Sequence, residues 1–244
     1  ILPLKRLDTL QIATLCIGEN KIGAFQNTVN LYANASHFNL KNPTQNALVD
    51  SIIASLSMYN LVLISLENVT KKSDKNFGIS PETIALINKI KVCSKVVINL
   101  PGNPYALYKF DEIEKIDGIV ITYERNAYTL QKAAELIFGG IDSPGRLPVS
   151  IVGKYKAGDG MNLGAPIRMS YVSPEDIGIN STYLQKVDSI ALQAIMEQAT
   201  PGCQLLAAKN GQVFYHKAFG NFTYEKSEPV DLNTIYDIAS ITKV

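Results

Sequence analysis

Histidine and cysteine are scarce in this chain. The two histidines, His37 and His216, have no Cys or His neighbour at ligand spacing, so a zinc site is not expected. The three cysteines, Cys16, Cys93 and Cys203, are odd in number and widely spaced, which argues against a disulfide framework. Cys16 and Cys93 lie in or beside apolar runs and read as small buried hydrophobes. Surplus charge is missing too: 23 Lys and Arg stand against 22 Asp and Glu, a net charge of +1. Nucleic-acid and anionic-membrane surfaces depend on clustered positive charge, so both partner classes are disfavoured. No apolar run approaches the roughly 18 residues of a membrane helix. The opening Ile1-Leu2-Pro3-Leu4-Lys5 lacks the charged start and apolar middle of a secretion signal. The chain reads as an interior piece of a longer polypeptide, which leaves the compartment open.

Apolar residues make up 46% of the 244 positions, enough for one large core or two small ones at about 100–200 residues per domain. From residue 11 to about 138, short apolar runs alternate with helical patterns. Residues 11–17, 61–66, 95–100 and 118–122 read as strands without polar alternation. Such strands are buried on both faces, as in a parallel sheet between helices. Between them, residues 23–32 suit a helix. So do residues 43–59, with Leu48, Ile52, Leu56 and Tyr59 on one face. Ser80-Pro81-Glu82 opens a third helix, because Ser caps it, Pro suits its first turn and Glu complements the dipole. Its apolar face is Ile84, Ile87 and Ile90, with Leu86 beside them. Asn103-Pro104 opens a short helix, and residues 126–138 form the last one, stopped by Gly139-Gly140. The order predicts a three-layer α/β/α sandwich with a mostly parallel sheet.

Residues 153–172 break this pattern and read as a glycine-rich linker or surface strap. Gly158 and Gly160 hint at a phosphate loop, but the third glycine, Gly164, comes one position late and no strand precedes them. Neither a nucleotide site nor any other cofactor is expected. After the linker, residues 181–199 carry an amphipathic helical stripe ended by Pro201-Gly202. Residues 204–209 and 212–220 then flank Asn210-Gly211, a strong hairpin signal. Helix followed by antiparallel strands marks a second, α+β segment.

Two local patterns carry a family resemblance. Leu136-Ile-Phe-Gly-Gly-Ile-Asp-Ser-Pro-Gly-Arg-Leu-Pro-Val-Ser150 resembles the end of the second domain of family 3 glycoside hydrolases. Leu2-Pro3-Leu4, the 61–66 strand, Ser80-Pro81 and Asn99-Leu-Pro-Gly-Asn-Pro104 fit the same order, so the resemblance spans residues 1–152. The glycines and Pro144-Gly145 read as architecture; Arg146 either shapes the turn or pairs with a carboxylate of a packed domain. The resemblance implies that the nucleophilic carboxylate belongs to a preceding barrel domain. Some members place the general acid on this second domain. Glu67 and Glu124, each just after a strand, stand where such an acid would be, with a solvated loop charge as the alternative. The short, lysine-rich loop after Glu67 resembles instead the hexosaminidase-like branch, whose acid group lies on the barrel.

The second pattern is Ile235-Tyr-Asp-Ile-Ala-Ser-Ile-Thr-Lys-Val244. Ser240 and Lys243 form Ser-x-x-Lys, which on a helix places both side chains on one face. A desolvated lysine can take the proton of such a serine. With the preceding helix and hairpin, the segment resembles the opening of class C β-lactamases and penicillin-binding serine hydrolases. Those enzymes need further partners later in the chain, commonly Tyr-x-Asn and a Lys/His-x-Gly strand, and neither occurs between Ser240 and Val244.

The resulting expectation has three parts: residues 1–152 as the α/β domain of a family 3 β-N-acetylglucosaminidase, 153–172 as linker, and 173–244 as a truncated β-lactamase-like segment. By resemblance the whole protein acts on carbohydrate, in cell-wall or glycan processing in a bacterium, outside the cytoplasm, and the piece itself is inactive. The sequons at Asn34, Asn68, Asn180 and Asn221 would matter only in a eukaryotic secretory setting. The rival readings are a non-enzymatic α/β module binding a small molecule, and a serine esterase or β-lactamase acting through Ser240.

Overall fold

A five-stranded parallel sheet and the helices packed on it hold most of the buried apolar side chains among the described residues. In the computed structural model, which describes residues 1–44, 46–225, 228–237 and 239, the strands are β1 (Ile12–Ile17), β2 (Ala35–Leu40), β3 (Leu61–Leu66), β4 (Lys95–Leu100) and β5 (Gly118–Ile121). Their order across the sheet is β2-β1-β3-β4-β5, and every neighbouring pair is parallel. Helices α1 (Ala24–Val29) and α4 (Ala127–Phe138) cover one face; α2 (Asn46–Leu56) and α3 (Pro81–Cys93) cover the other. The α/β/α sandwich read from the sequence is therefore the fold. The chain divides into two compact units, Ile1–Arg168 and Met169–Val244.

Local chemistry explains the element ends. Ser80 caps α3 by accepting the Thr83 N–H at 3.2 Å. Asn126 caps α4, accepting the Thr129 N–H at 2.9 Å, while the Thr129 hydroxyl accepts the Asn126 N–H at 3.1 Å. This reciprocal pair satisfies two orphan donors. Gly139 ends α4 at φ 73°, a left-handed position that glycine fills without a Cβ clash. Its carbonyl accepts the N–H groups of Ile167 and Arg168. The Arg168 guanidinium then bonds the carbonyls of Leu4, Lys5 and Phe138 at 2.5–3.0 Å. Residues 141–168 thus belong to the first unit: Leu147 exchanges backbone bonds with Gly158 and Asp159, and Ile151 is buried in the α2/α3 core.

Three readings change. The buried face of α2 is Val49, Ile52 and Leu56, while Leu48 is 44% exposed; 49, 52 and 56 make an i, i+3, i+7 stripe and 48, 52 and 56 an i, i+4, i+8 one, and the sheet selects the first. Cys93, read as a buried thiol, is exposed at the last turn of α3, whereas Cys16 is buried. β2 is a strand where the sequence carries no strand signal. It is an edge strand, half-buried for five of its six residues, and carries Ser36, His37 and Asn39.

In the second unit, α5 (Leu184–Met196) packs on an antiparallel pair, β7 (Gly202–Lys209) and β8 (Gln212–Gly220), with the two-residue β6 (Ser170–Tyr171) beside β8. The Asn210-Gly211 turn sits where the sequence placed it, both residues at positive φ. Among the described residues, no helix is long and apolar enough to cross a membrane.

Candidate functional site

The two faces of the sheet differ at its C-terminal edge. The α2/α3 face stays apolar along β1, β3 and β4. The α1/α4 face turns polar: Asn39, Cys16, Ser65 and Asn99 stand side by side in register across β2, β1, β3 and β4. The order β2-β1-β3 makes the β1/β3 pair a switch point, where open α/β sheets place their ligands. Glu67 follows β3 at this point.

Glu67 is the hub of a closed polar lock. Its side chain is 3% exposed. Oε1 accepts the Ser65 hydroxyl at 3.1 Å and the Cys16 thiol at 3.4 Å. Asn99 Nδ2 in turn donates to Ser65 Oγ at 3.1 Å. Oε2 faces Arg125 Nε at 3.6 Å, and Arg125 also pairs with Glu19. Burial and the Glu67 charge push the Cys16 thiol pKa far up, so Cys16 serves as a donor and not as a nucleophile. Backbone closes the corner further. Gly18 sits at φ 113°, and a Cβ there would lie 2.5 Å from the Asn68 nitrogen.

A second network continues toward the β2 edge. Thr14 Oγ1 accepts Gln26 Nε2 at 3.0 Å and lies 2.8 Å from His37 Nδ1. The hydroxyl oxygen has two lone pairs and one proton, so either tautomer of the neutral His37 ring fits this contact. Burial lowers the His37 pKa and favours that neutral form.

Of the site residues proposed from sequence, the structure describes Glu67 and Glu124. Glu67 is buried in the lock and is not a solvated loop charge. Glu124 is exposed on the loop after β5, where its carbonyl accepts the Thr129 hydroxyl at 2.7 Å. Ser240 and Lys243 lie outside the described residues. Arg146 bonds its own turn, with Nη1 donating to the carbonyls of Pro144 and Gly145 at 3.2 and 2.9 Å, which fits the architectural reading. The sequence reading missed Ser65, Asn99, Arg125 and Glu19. Ser65 and Asn99 are visible as polar residues near the ends of apolar strands; Arg125 meets Glu67 from 58 positions further along the chain, and no local pattern reports that.

No family model matches the sequence, and no curated protein matches it. Among solved structures, similarity is found to a fungal multi-domain GH3 β-N-acetylglucosaminidase that carries a GCN5-related glucosamine N-acetyltransferase region. The identity is 20%, the TM-score 0.49, and 65% of this chain and 18% of that one are covered. A family 3 β-N-acetylglucosaminidase from Paenibacillus sp. str. FPU-7 gives 13% identity and a TM-score of 0.42, covering 54% of this chain and 26% of that one. A GH3 exo-β-xylosidase gives 11% and 0.45, covering 64% and 23%. The chain matches only a minor part of the length of each of these proteins.

Proposed function

We propose that residues 1–152 are the second, α/β domain of a family 3 glycoside hydrolase of the β-N-acetylglucosaminidase type, and that residues 173–244 open a serine β-lactamase-like domain of the same polypeptide. The observation that carries this is the segment from Leu136 to Ser150. Its Gly139-Gly140 helix stop and Pro-Gly-Arg-Leu-Pro run resemble the family's domain ending, and it begins at the end of α4, the last helix of a parallel α/β/α sandwich. Glycoside hydrolysis needs two carboxyl groups flanking one bond. Glu67 is buried and Glu124 is exposed on the loop after β5; the reading places both reacting groups on a barrel domain and gives this domain a supporting role. In a bacterium that protein would process cell-wall glycan outside the cytoplasm.

The 244-residue chain alone should not hydrolyse 4-nitrophenyl N-acetyl-β-glucosaminide, and a polypeptide extended through the coding sequence upstream should. Turnover by the chain itself, abolished by Glu67→Gln or Glu124→Gln, would place the active site here; an inactive extended polypeptide would sink the proposal. The Ser240-x-x-Lys243 spacing favours a second reading, acyl transfer at Ser240. A labelled β-lactam should leave the chain unmodified, since the partners that complete such a site are not in it. Stoichiometric labelling lost in Ser240→Ala would establish the second reading instead.

A further inference from the structure

The residues that follow α4 pass beside the outer edge of β5. Between them and that strand runs a groove of about 520 Å³, within the size range of small-molecule sites. It belongs wholly to the first unit and is distinct from the Glu67 lock. Ile119 and Ile121 form an apolar wall, Tyr123 and Tyr155 supply two aromatic rings, and Arg146 and Asp159 supply one charge of each sign.

Tyr123 gives an independent sign that this groove is used. It stands at φ 61°, a conformation rare for a bulky side chain and open to glycine at no steric cost. The Thr122 carbonyl accepts the Glu124 N–H at 2.7 Å, closing a three-residue turn with Tyr123 at its tip, a strained class of turn. Such strain persists where the surroundings hold it, and clusters at ligand sites. What the strain achieves is display: the ring is 46% exposed and lines the groove.

Arg146 and Asp159 are held by backbone. Arg146 Nη1 bonds the Pro144 and Gly145 carbonyls, and Asp159 Oδ2 accepts the Lys156 N–H at 2.7 Å. Among the described residues neither takes part in an ion pair. Their opposite charges disfavour an ionic ligand of either sign. A carboxylate and a guanidinium beside two aromatic rings suit a ligand with hydroxyl groups on its rim and C–H surface on its faces. We infer that the β5 groove binds a neutral pyranose-type sugar ring, stacked on Tyr123 and Tyr155 and hydrogen-bonded by Asp159 and Arg146. This is a binding site without hydrolysis, and it holds whether or not the chain belongs to a glycosidase.

The chain contains no tryptophan, so Tyr123→Trp places a single fluorescent reporter in the groove. Titrating the full chain with methyl β-glucopyranoside and N-acetylglucosamine should give a saturable emission change with a Kd of about 1 mM. Asp159→Ala in that background should weaken it about tenfold with an unchanged circular dichroism spectrum. Saturation-transfer NMR on the unmodified chain covers the case in which the tryptophan variant does not fold; the transfer should vanish in Tyr123→Gly. No saturable response to neutral sugars by NMR overturns the inference. So does tighter binding of glucuronate or glucosamine, or an Asp159→Ala variant that binds as well as its parent. Glycosidase activity in the extended polypeptide is read separately, so either result can fail without the other.

Discussion

A single buried carboxylate sets much of the chemistry at the sheet's C-terminal edge. Glu67 is 5% exposed as a residue and takes hydrogen bonds from Ser65 and Cys16 while facing Arg125. Removing it strands donors where water does not reach, and an unsatisfied buried polar group costs about 1–3 kcal/mol. Arg125 is 40% exposed at its side chain, so its lost pairing adds little, because water screens it. Glu67→Ala should therefore lower unfolding free energy by about 2 kcal/mol, whereas Glu67→Gln, which keeps an acceptor oxygen, should cost less. Urea unfolding monitored by circular dichroism distinguishes the two. Equal losses for both variants would mean that the charge and not the hydrogen bonding matters. Asn99 extends the same logic: its Nδ2 donates to Ser65, and its Oδ1 is buried without a hydrogen-bond partner among the described residues, a place suited to an ordered water.

The end of α4 shows how one element can be fixed by a single backbone position. Gly139 stands at φ 73°, and a Cβ there would lie 2.7 Å from Ile167 Cγ1 and 3.0 Å from Pro3 Cβ. Gly139→Ala meets both the left-handed penalty and this crowding, and should destabilise the first unit by about 1–3 kcal/mol. Gly145 lies in the same segment with nothing within 4 Å of a built Cβ, so Gly145→Ala should stay within about 0.5 kcal/mol of the parent. Thermal melts of the two variants test the contrast; equal effects would refute it. Elements of this kind were legible in sequence because their signals are local. Ser80-Pro81, Asn126 and Gly139-Gly140 mark ends by their own chemistry, and β1, β3 and β4 announce themselves as unbroken apolar runs. β2 was hidden because an edge strand has one side near solvent. Its residues, Ala35-Ser-His-Phe-Asn-Leu40, alternate weakly and resemble a loop, and only pairing with β1 makes them a strand. The Glu67 lock was half legible for a related reason: the carboxylate could be placed at a strand end, but its partners come from β1, from the same strand and from the loop after β5.

The two units differ most in how much core each holds. Among the described residues of Met169–Val244, the buried apolar side chains are Ala191, Val213 and Tyr215, whereas Ile1–Arg168 buries whole strands on both sheet faces. A segment of that size with so small a core is marginal by itself. Much of its cohesion is polar. Asp188 on α5 accepts the Tyr215 hydroxyl at 2.6 Å and Lys217 Nζ at 2.7 Å on β8. These bonds, the one from Lys217 first, hold the Asp188 carboxyl below its ordinary range. A depressed carboxylate pKa means that this stabilisation is complete near neutral pH. It is lost as the pH falls through the folded-state value, because the unfolded chain binds the proton more readily. The second unit should therefore open first, and more so in mild acid, while the sheet stays intact. Limited proteolysis with mass spectrometry at neutral pH should cut first within residues 169–237 and leave a resistant fragment ending near Arg168. Lowering the pH toward the carboxylate range, with an acid-tolerant protease, should speed the early cut in the parent. Asp188→Asn should show the fast cut at both pH values, since it lacks the ion pair from the start. A first cut inside residues 1–140, or a single cooperative unfolding transition reported alike by both units, would show that the second unit draws its stability from more than its own small core.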